Sequence, residues 1–108
     1  MSHSHYKILR NKFLNNKAWK GGAIHIQSLH RLTLFKNNFY NNEATYGGAF
    51  YLQGLLYHEC QYILENNNWF KNTATQAGGA IYWENVEPFI YQNVFNENAA
   101  WYGQNIAS

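Results

Sequence analysis

Leu34-Phe35-Lys36-Asn37-Asn38-Phe39-Tyr40-Asn41-Asn42-Glu43-Ala44-Thr45-Tyr46-Gly47-Gly48-Ala49-Phe50 is the stretch that decides the fold. Reduced to its constrained positions, it is a branched aliphatic, two residues, Asn, one residue, a large aromatic, two residues, Asn, one residue, Ala. A Gly-Gly-Ala and a bulky apolar residue close it. The same order recurs at Ile8–Asn11–Phe13–Asn16–Ala18, Leu64–Asn67–Trp69–Asn72–Ala74 and Ile90–Asn93–Phe95–Asn98–Ala100. The aromatics are 26, 30 and 26 residues apart. A period of this size is the signature of a solenoid, in which each repeat is one coil packed on the next.

Extra residues fall in connections, around Gly54-Leu55-Leu56 in the long interval and at Ala77 before Gly78-Gly79-Ala80 in the next. That is where a stack can take them without losing strand register. Apolar residues two apart mark a strand in each coil at Tyr6-Lys7-Ile8, Leu32-Thr33-Leu34, Tyr62-Ile63-Leu64 and Pro88-Phe89-Ile90. Pro88 lacks a ladder N–H and belongs at a strand start or an edge. A second strand is expected after the glycines, with Ile24/Ile26, Phe50/Leu52 and Ile81/Trp83 facing the core and His25, Tyr51 and Tyr82 facing outward.

The asparagines carry the strongest constraint. A side-chain amide both donates and accepts, so identical residues stacked at the ~4.8 Å strand spacing can bond along a column. Asn11, Asn37, Asn67 and Asn93 form one expected column, and Asn16, Asn42, Asn72 and Asn98 the other. Asn also tolerates the left-handed backbone of sharp corners, and Gly21-Gly22, Gly47-Gly48 and Gly78-Gly79 are expected to supply positive φ at the next one. The reading is an all-β chain, a right-handed parallel β-helix of about four coils of 26–30 residues centred on Phe13, Phe39, Trp69 and Phe95. Residues 1–108 form one segment of it.

Phe-x-x-Asn (Phe13–Asn16, Phe39–Asn42, Phe95–Asn98, with Trp69–Asn72 as variant) in phase with Gly-Gly-Ala-Ile or Gly-Gly-Ala-Phe resembles the repeats of chlamydial polymorphic outer-membrane proteins. The resemblance spans about Tyr6 to Ala107. It implies a pectin-lyase-like β-helix used as a passenger or adhesin stalk, displayed outside the cell as part of a longer surface protein. The last copy departs from the pattern, with Gly103-Gln104-Asn105-Ile106 in place of Gly-Gly-Ala-Ile. A leucine-rich-repeat solenoid is the alternative, since Leu29-x-x-Leu32-x-Leu34-x-x-Asn37 fits it. The other copies fail at its first position, where His3, Glu59 and Asn85 stand.

Composition bounds the chemistry. Apolar residues make up 46% and charged residues 13%, and the polar requirement is met by sixteen Asn and no Asp. Paired-carboxylate glycoside hydrolysis and carboxylate-bound calcium both need clustered acids. Glu43, Glu59, Glu65, Glu84, Glu87 and Glu97 share no column, and Glu84 and Glu87 flank a turn at Asn85-Val86. No enzyme is expected, and no cofactor. His3, His5, His25, His30 and His58 do not fall at ligand spacing, so no metal site is expected either. Seven of the eight Lys and Arg lie in the first 36 residues without forming a basic stripe, which argues against nucleic acid. Lone Cys60 reads as a small buried hydrophobe. Nothing reaches the length of a membrane span, and Met1–Tyr6 has no apolar targeting run.

The candidate ligand-contacting residues are aromatic. His25, Tyr51 and Tyr82 are expected one coil apart on one outer face. Trp19, Tyr46, Trp101 and Tyr102 lie at corners between the Ala and the glycines. Such rows suit glycans or protein partners, although ring-on-ring stacking that locks coil register is the competing use. The other expected partners are neighbouring coils of a longer chain, or self-association through open strand edges.

Overall fold

The computed structural model describes residues 5–27, 29–55 and 60–108, and among them there are strands and turns but no helix. Each full coil has four sides. The first carries β1 (His5–Leu9), β2 (Lys12–Leu14) and β3 (Ile24–Gln27). The second carries β4 (Arg31–Phe35), β5 (Asn38–Tyr40), β6 (Glu43–Tyr46) and β7 (Phe50–Gln53). The third holds β8 (Gln61–Glu65), β9 (Asn68–Phe70), β10 (Thr73–Ala77) and β11 (Ile81–Glu84), and the fourth β12 (Phe89–Tyr91), β13 (Val94–Asn96), β14 (Ala99–Tyr102) and β15 (Ile106–Ala107). Like sides stack into four parallel sheets, ordered β1-β4-β8-β12, β2-β5-β9-β13, β6-β10-β14 and β3-β7-β11-β15.

This is the parallel solenoid that the repeat implies, with the expected coil count. Four strands per coil and no helix are incompatible with the leucine-rich alternative, whose unit is one strand and a helix or 3₁₀ segment. Two strands per coil were expected, and four are found. The additional pair carry the aromatic and the Ala, and they run only three to five residues. Strands that short leave too few alternations for a period-2 pattern to register. In the first coil the third side is held only by bridges from Lys17 to Glu43 and Lys20 to Tyr46. Pro88 stands directly before β12, the edge strand of its sheet.

The interior is a set of continuous columns. Leu32, Leu34, Phe39, Phe50, Leu52, Tyr62, Leu64, Trp69 and Ile81 are all buried. Phe13, Phe39, Trp69 and Phe95 stack face to face, with centroids 4.9, 4.2 and 6.0 Å apart and planes within 11°. Phe39 over Trp69 is closest, matching the strand spacing that forces rings in register to stack.

Both asparagine columns form. In each, Oδ1 accepts from the backbone N–H of the asparagine one coil earlier, as in Asn11 to Asn37 at 2.8 Å, Asn37 to Asn67 at 2.9 Å and Asn67 to Asn93 at 3.0 Å. The second column repeats this from Asn16 to Asn42, Asn42 to Asn72 and Asn72 to Asn98 at 2.9–3.0 Å. From the second coil on, each Nδ2 donates back to a carbonyl of the preceding coil, for example Asn42 to Phe13 O at 3.0 Å and Asn72 to Phe39 O at 3.0 Å. A buried amide is thereby fully satisfied, which offsets the penalty of burying it.

The left-handed corners are not where they were expected. The ladder asparagines keep negative φ, and the residue before each takes the turn. Arg10, Lys36, Asn66 and Gln92 (φ 53–58°) precede the first column, and Asn15, Asn41, Lys71 and Glu97 (φ 55–58°) the second. The amide must point into the coil to reach its partners, so the reversal falls on its neighbour. The glycine pairs likewise split their work. Gly47 has φ 65° whereas Gly48 does not. A Cβ on Gly48 would fall on Gly79 O and lie 2.7 Å from Thr73 O, so the next coil's backbone, not φ, requires the second glycine.

Cys60 is half-buried instead of fully buried, and its Sγ donates to Leu55 O at 3.4 Å. His3, Leu56, His58 and Glu59 lie outside the described residues.

Candidate functional site

The candidate site is on the outside of the fourth sheet, where β6 turns through Gly47-Gly48 into β7. Strand register places His25, Tyr51, Tyr82 and Ala107 in one column. It places Lys20, Tyr46, Ala77 and Tyr102 in another. Across the glycine corner the two columns interleave. Tyr51 and Tyr82 stack at 5.4 Å and 11°. Tyr46 meets Tyr82 edge-on at 5.2 Å. His25 meets Tyr51 edge-on at 4.9 Å, and Lys20 Nζ lies 5.0 Å from the Tyr51 ring centre.

Tyr46, Tyr51 and Tyr82 together with Lys20 and Glu84 line a recess of about 340 Å³. Tyr51 corrects the expectation of an accessible outward ring. It points away from the core, yet it is only 1% exposed because Tyr82, His25 and Lys20 cover it. Here the stacking use of the aromatic row prevails. Tyr46 and Tyr82 stay partly accessible and His25 is exposed.

Trp19, Trp101 and Tyr102 are 68%, 86% and 59% exposed, and they do not line the recess. Trp19 is opposite Thr45 and Trp101 opposite Thr75-Gln76, so the two indoles occupy opposite ends of one column on the third sheet. The eight ladder asparagines are bound up with one another and the backbone, and they are structural in every contact they make.

Sequence reasoning missed Lys20 and Glu84. Lys20 had a signal, since it precedes Gly21-Gly22 as Tyr46 precedes Gly47-Gly48. Glu84 was placed only as flanking the turn at Asn85-Val86; it ends β11 in register with Gln53 and is half-buried. The charges act on His25. Partial desolvation of the ring lowers its pKa from 6.5, the Lys20 ammonium lowers it further, and Glu84 pulls the other way. Neutral imidazole is therefore the form present at pH 7.

Among the described residues no group of three or more His, Cys, Asp or Glu is placed to hold a metal ion. No helix among them is long and apolar enough to cross a membrane.

The stretch from β2 through β3 carries both motifs of the first coil, Phe13–Asn16 and Gly21-Gly22-Ala23-Ile24. Residues 12–27 match the Chlamydia polymorphic membrane protein repeat. The matched stretch pairs strand for strand with the next coil, Lys12–Leu14 on Asn38–Tyr40 and Ile24–Gln27 on Phe50–Gln53. No curated protein and no solved structure gives a significant match to the chain.

Proposed function

We propose that the chain is a non-catalytic repeat segment of a cell-surface protein, a stiff stacked scaffold that carries adhesive contacts on its outer faces. One observation carries this reading. The unit matching the polymorphic-membrane-protein repeat is propagated coil on coil, with two hydrogen-bonded asparagine columns running through all four copies. Such a stack resists bending because each coil bonds its neighbours along every side. The distribution of acids supports a non-catalytic role. Among the described residues Glu84 is the one carboxylate lining the recess, and Glu43 is held at 3.7 Å by Lys17, whereas hydrolysis of a glycosidic bond uses two acids facing one cleft.

The test is surface labelling of intact cells that express the native gene, with antibody raised against this chain, combined with competition of cell adhesion by the purified chain. Labelling together with dose-dependent loss of adhesion is expected. Labelling only after permeabilisation overturns the surface assignment, and release of reducing ends from a polysaccharide panel overturns the non-catalytic one.

A further inference from the structure

The recess at the glycine corner has a composition that a purely structural aromatic stack does not need. Its aromatic wall is interrupted twice by small residues. In the column Lys20, Tyr46, Ala77, Tyr102 the third coil contributes only a methyl. In the column His25, Tyr51, Tyr82, Ala107 the fourth coil does the same. The first interruption is produced by a register shift in β10 between Ala74 and Ala77, where the third coil has its extra residue. Irregularities of this kind re-aim side chains and cluster beside binding sites. As a result, one face of Tyr82 is taken by Tyr51, while the neighbour in register beyond its other face is Ala107 and not another ring.

Two opposite charges share this recess without neutralising each other. Lys20 and Glu84 both line it, yet the ion pair present among the described residues is Lys17 with Glu43. The Lys20 ammonium rests over Tyr51 instead. A charged ligand would gain from one of these groups and lose against the other. A neutral ligand dense in hydroxyls gains from both, since each forms charge-assisted hydrogen bonds with an O–H or its oxygen. An apolar face offered to Tyr82, with hydroxyls around its rim, is the surface of a pyranose ring.

We propose that this recess binds a neutral pyranose unit of a glycan. The ring stacks on Tyr82 with Tyr46 as the side wall, and its hydroxyls bridge Lys20 and Glu84. The assignment stands apart from the surface-scaffold reading, because it rests on the recess alone.

The experiment is titration of the 108-residue chain with methyl β-glucopyranoside, methyl β-galactopyranoside and N-acetylglucosamine, followed by NMR of the tyrosine rings and backbone amides. Glucuronate and choline serve as charged comparators. Saturable shifts are expected at Tyr46, Tyr82 and Ala107 with at least one neutral sugar. Lys20→Met and Glu84→Gln should each weaken binding by about tenfold while leaving the amide spectrum dispersed, and Trp101→Ala should leave it unchanged. The proposal is overturned by the lack of any saturable shift up to the solubility limit of all three neutral sugars. Saturation by glucuronate or choline alone overturns it too, as does binding that survives both charge variants.

Discussion

The side-chain amide of Asn105, whose backbone pairs with Ala80, caps the second asparagine column at Asn98. Its Oδ1 accepts from Asn98 Nδ2 at 3.1 Å, as Asn98 Oδ1 accepts from Asn72 Nδ2 at 3.0 Å. The substitution of Gln104-Asn105 for the usual Gly-Ala thus returns to the column an amide acceptor. Asn98 is buried, so leaving its Nδ2 short of an acceptor is costly. Asn105→Ala should lower stability by about 1 kcal/mol. Asn105→Asp keeps the acceptor and should cost less. Thermal melts of both variants, read by circular dichroism, check the order; equal losses would remove Asn105 from the column.

Neighbouring asparagines in one coil should respond very differently. Asn42 is buried, its Oδ1 serves Asn16, and its Nδ2 reaches Phe13 O and Asn72 Oδ1. Asn42→Ala orphans several buried groups and should cost roughly 3 kcal/mol, a drop on the order of 10 °C in Tm. Asn41 is exposed, has φ 57° and bonds Asn15 at the surface. Asn41→Ala should cost about 1 kcal/mol and Asn41→Gly almost nothing, because what the site demands is a left-handed backbone. Matching Tm values for the Asn42 and Asn41 alanine variants would refute the buried column.

Gly48→Ala should prevent folding. The new methyl meets Gly79 O and Thr73 O, both backbone atoms of the next coil, and neither can rotate away. Loss of the β-sheet circular-dichroism signal in the purified variant is the expected result, and a cooperative melt near that of the parent would count against this contact.

His25 gives a pH test of the recess. Its folded pKa lies below 6.5, so its neutral form adds stability that is present above pH 6.5 and is lost as pH falls below it. The imidazole titration followed by NMR should have its midpoint under 6.5. Lys20→Met should raise that midpoint and Glu84→Gln should lower it, since these residues act with opposite sign. A midpoint unmoved by either change would separate His25 from both charges.

Tyr62 gives a second test, at alkaline pH. Its hydroxyl donates to Leu29 O, and burial first, with the Cys60 thiol next, pushes its pKa up to about 12. The unfolded chain loses this proton near pH 10, so stability is complete below that value and declines as pH rises toward 12. Tyr62→Phe should flatten the decline in denaturation midpoint between about pH 9 and about pH 11. An unchanged slope would place the alkaline sensitivity elsewhere.

The solenoid was legible because every constrained position recurs in phase. Phe39 over Trp69 and Asn42 over Asn72 follow once strands are parallel and in register. The candidate site was half legible. Tyr46, Tyr51 and Tyr82 were named, but Tyr51 is enclosed and Trp19, Trp101 and Tyr102 stand apart. Lys20 and Glu84 were passed over, because their meeting depends on how two columns interleave across a corner.

What the sequence by itself determined is the coil: its length, its inward and outward faces, and the columns of amide and ring that tie one coil to the next. Those features come from positions along one repeat, and spacing encodes them directly. The tertiary structure alone decided which residue turns each corner, why the second glycine of each pair has no side chain, and which outer rings are covered. These depend on the distance between backbones of successive coils and on side chains leaning from one sheet toward another, quantities that exist only after the stack has formed.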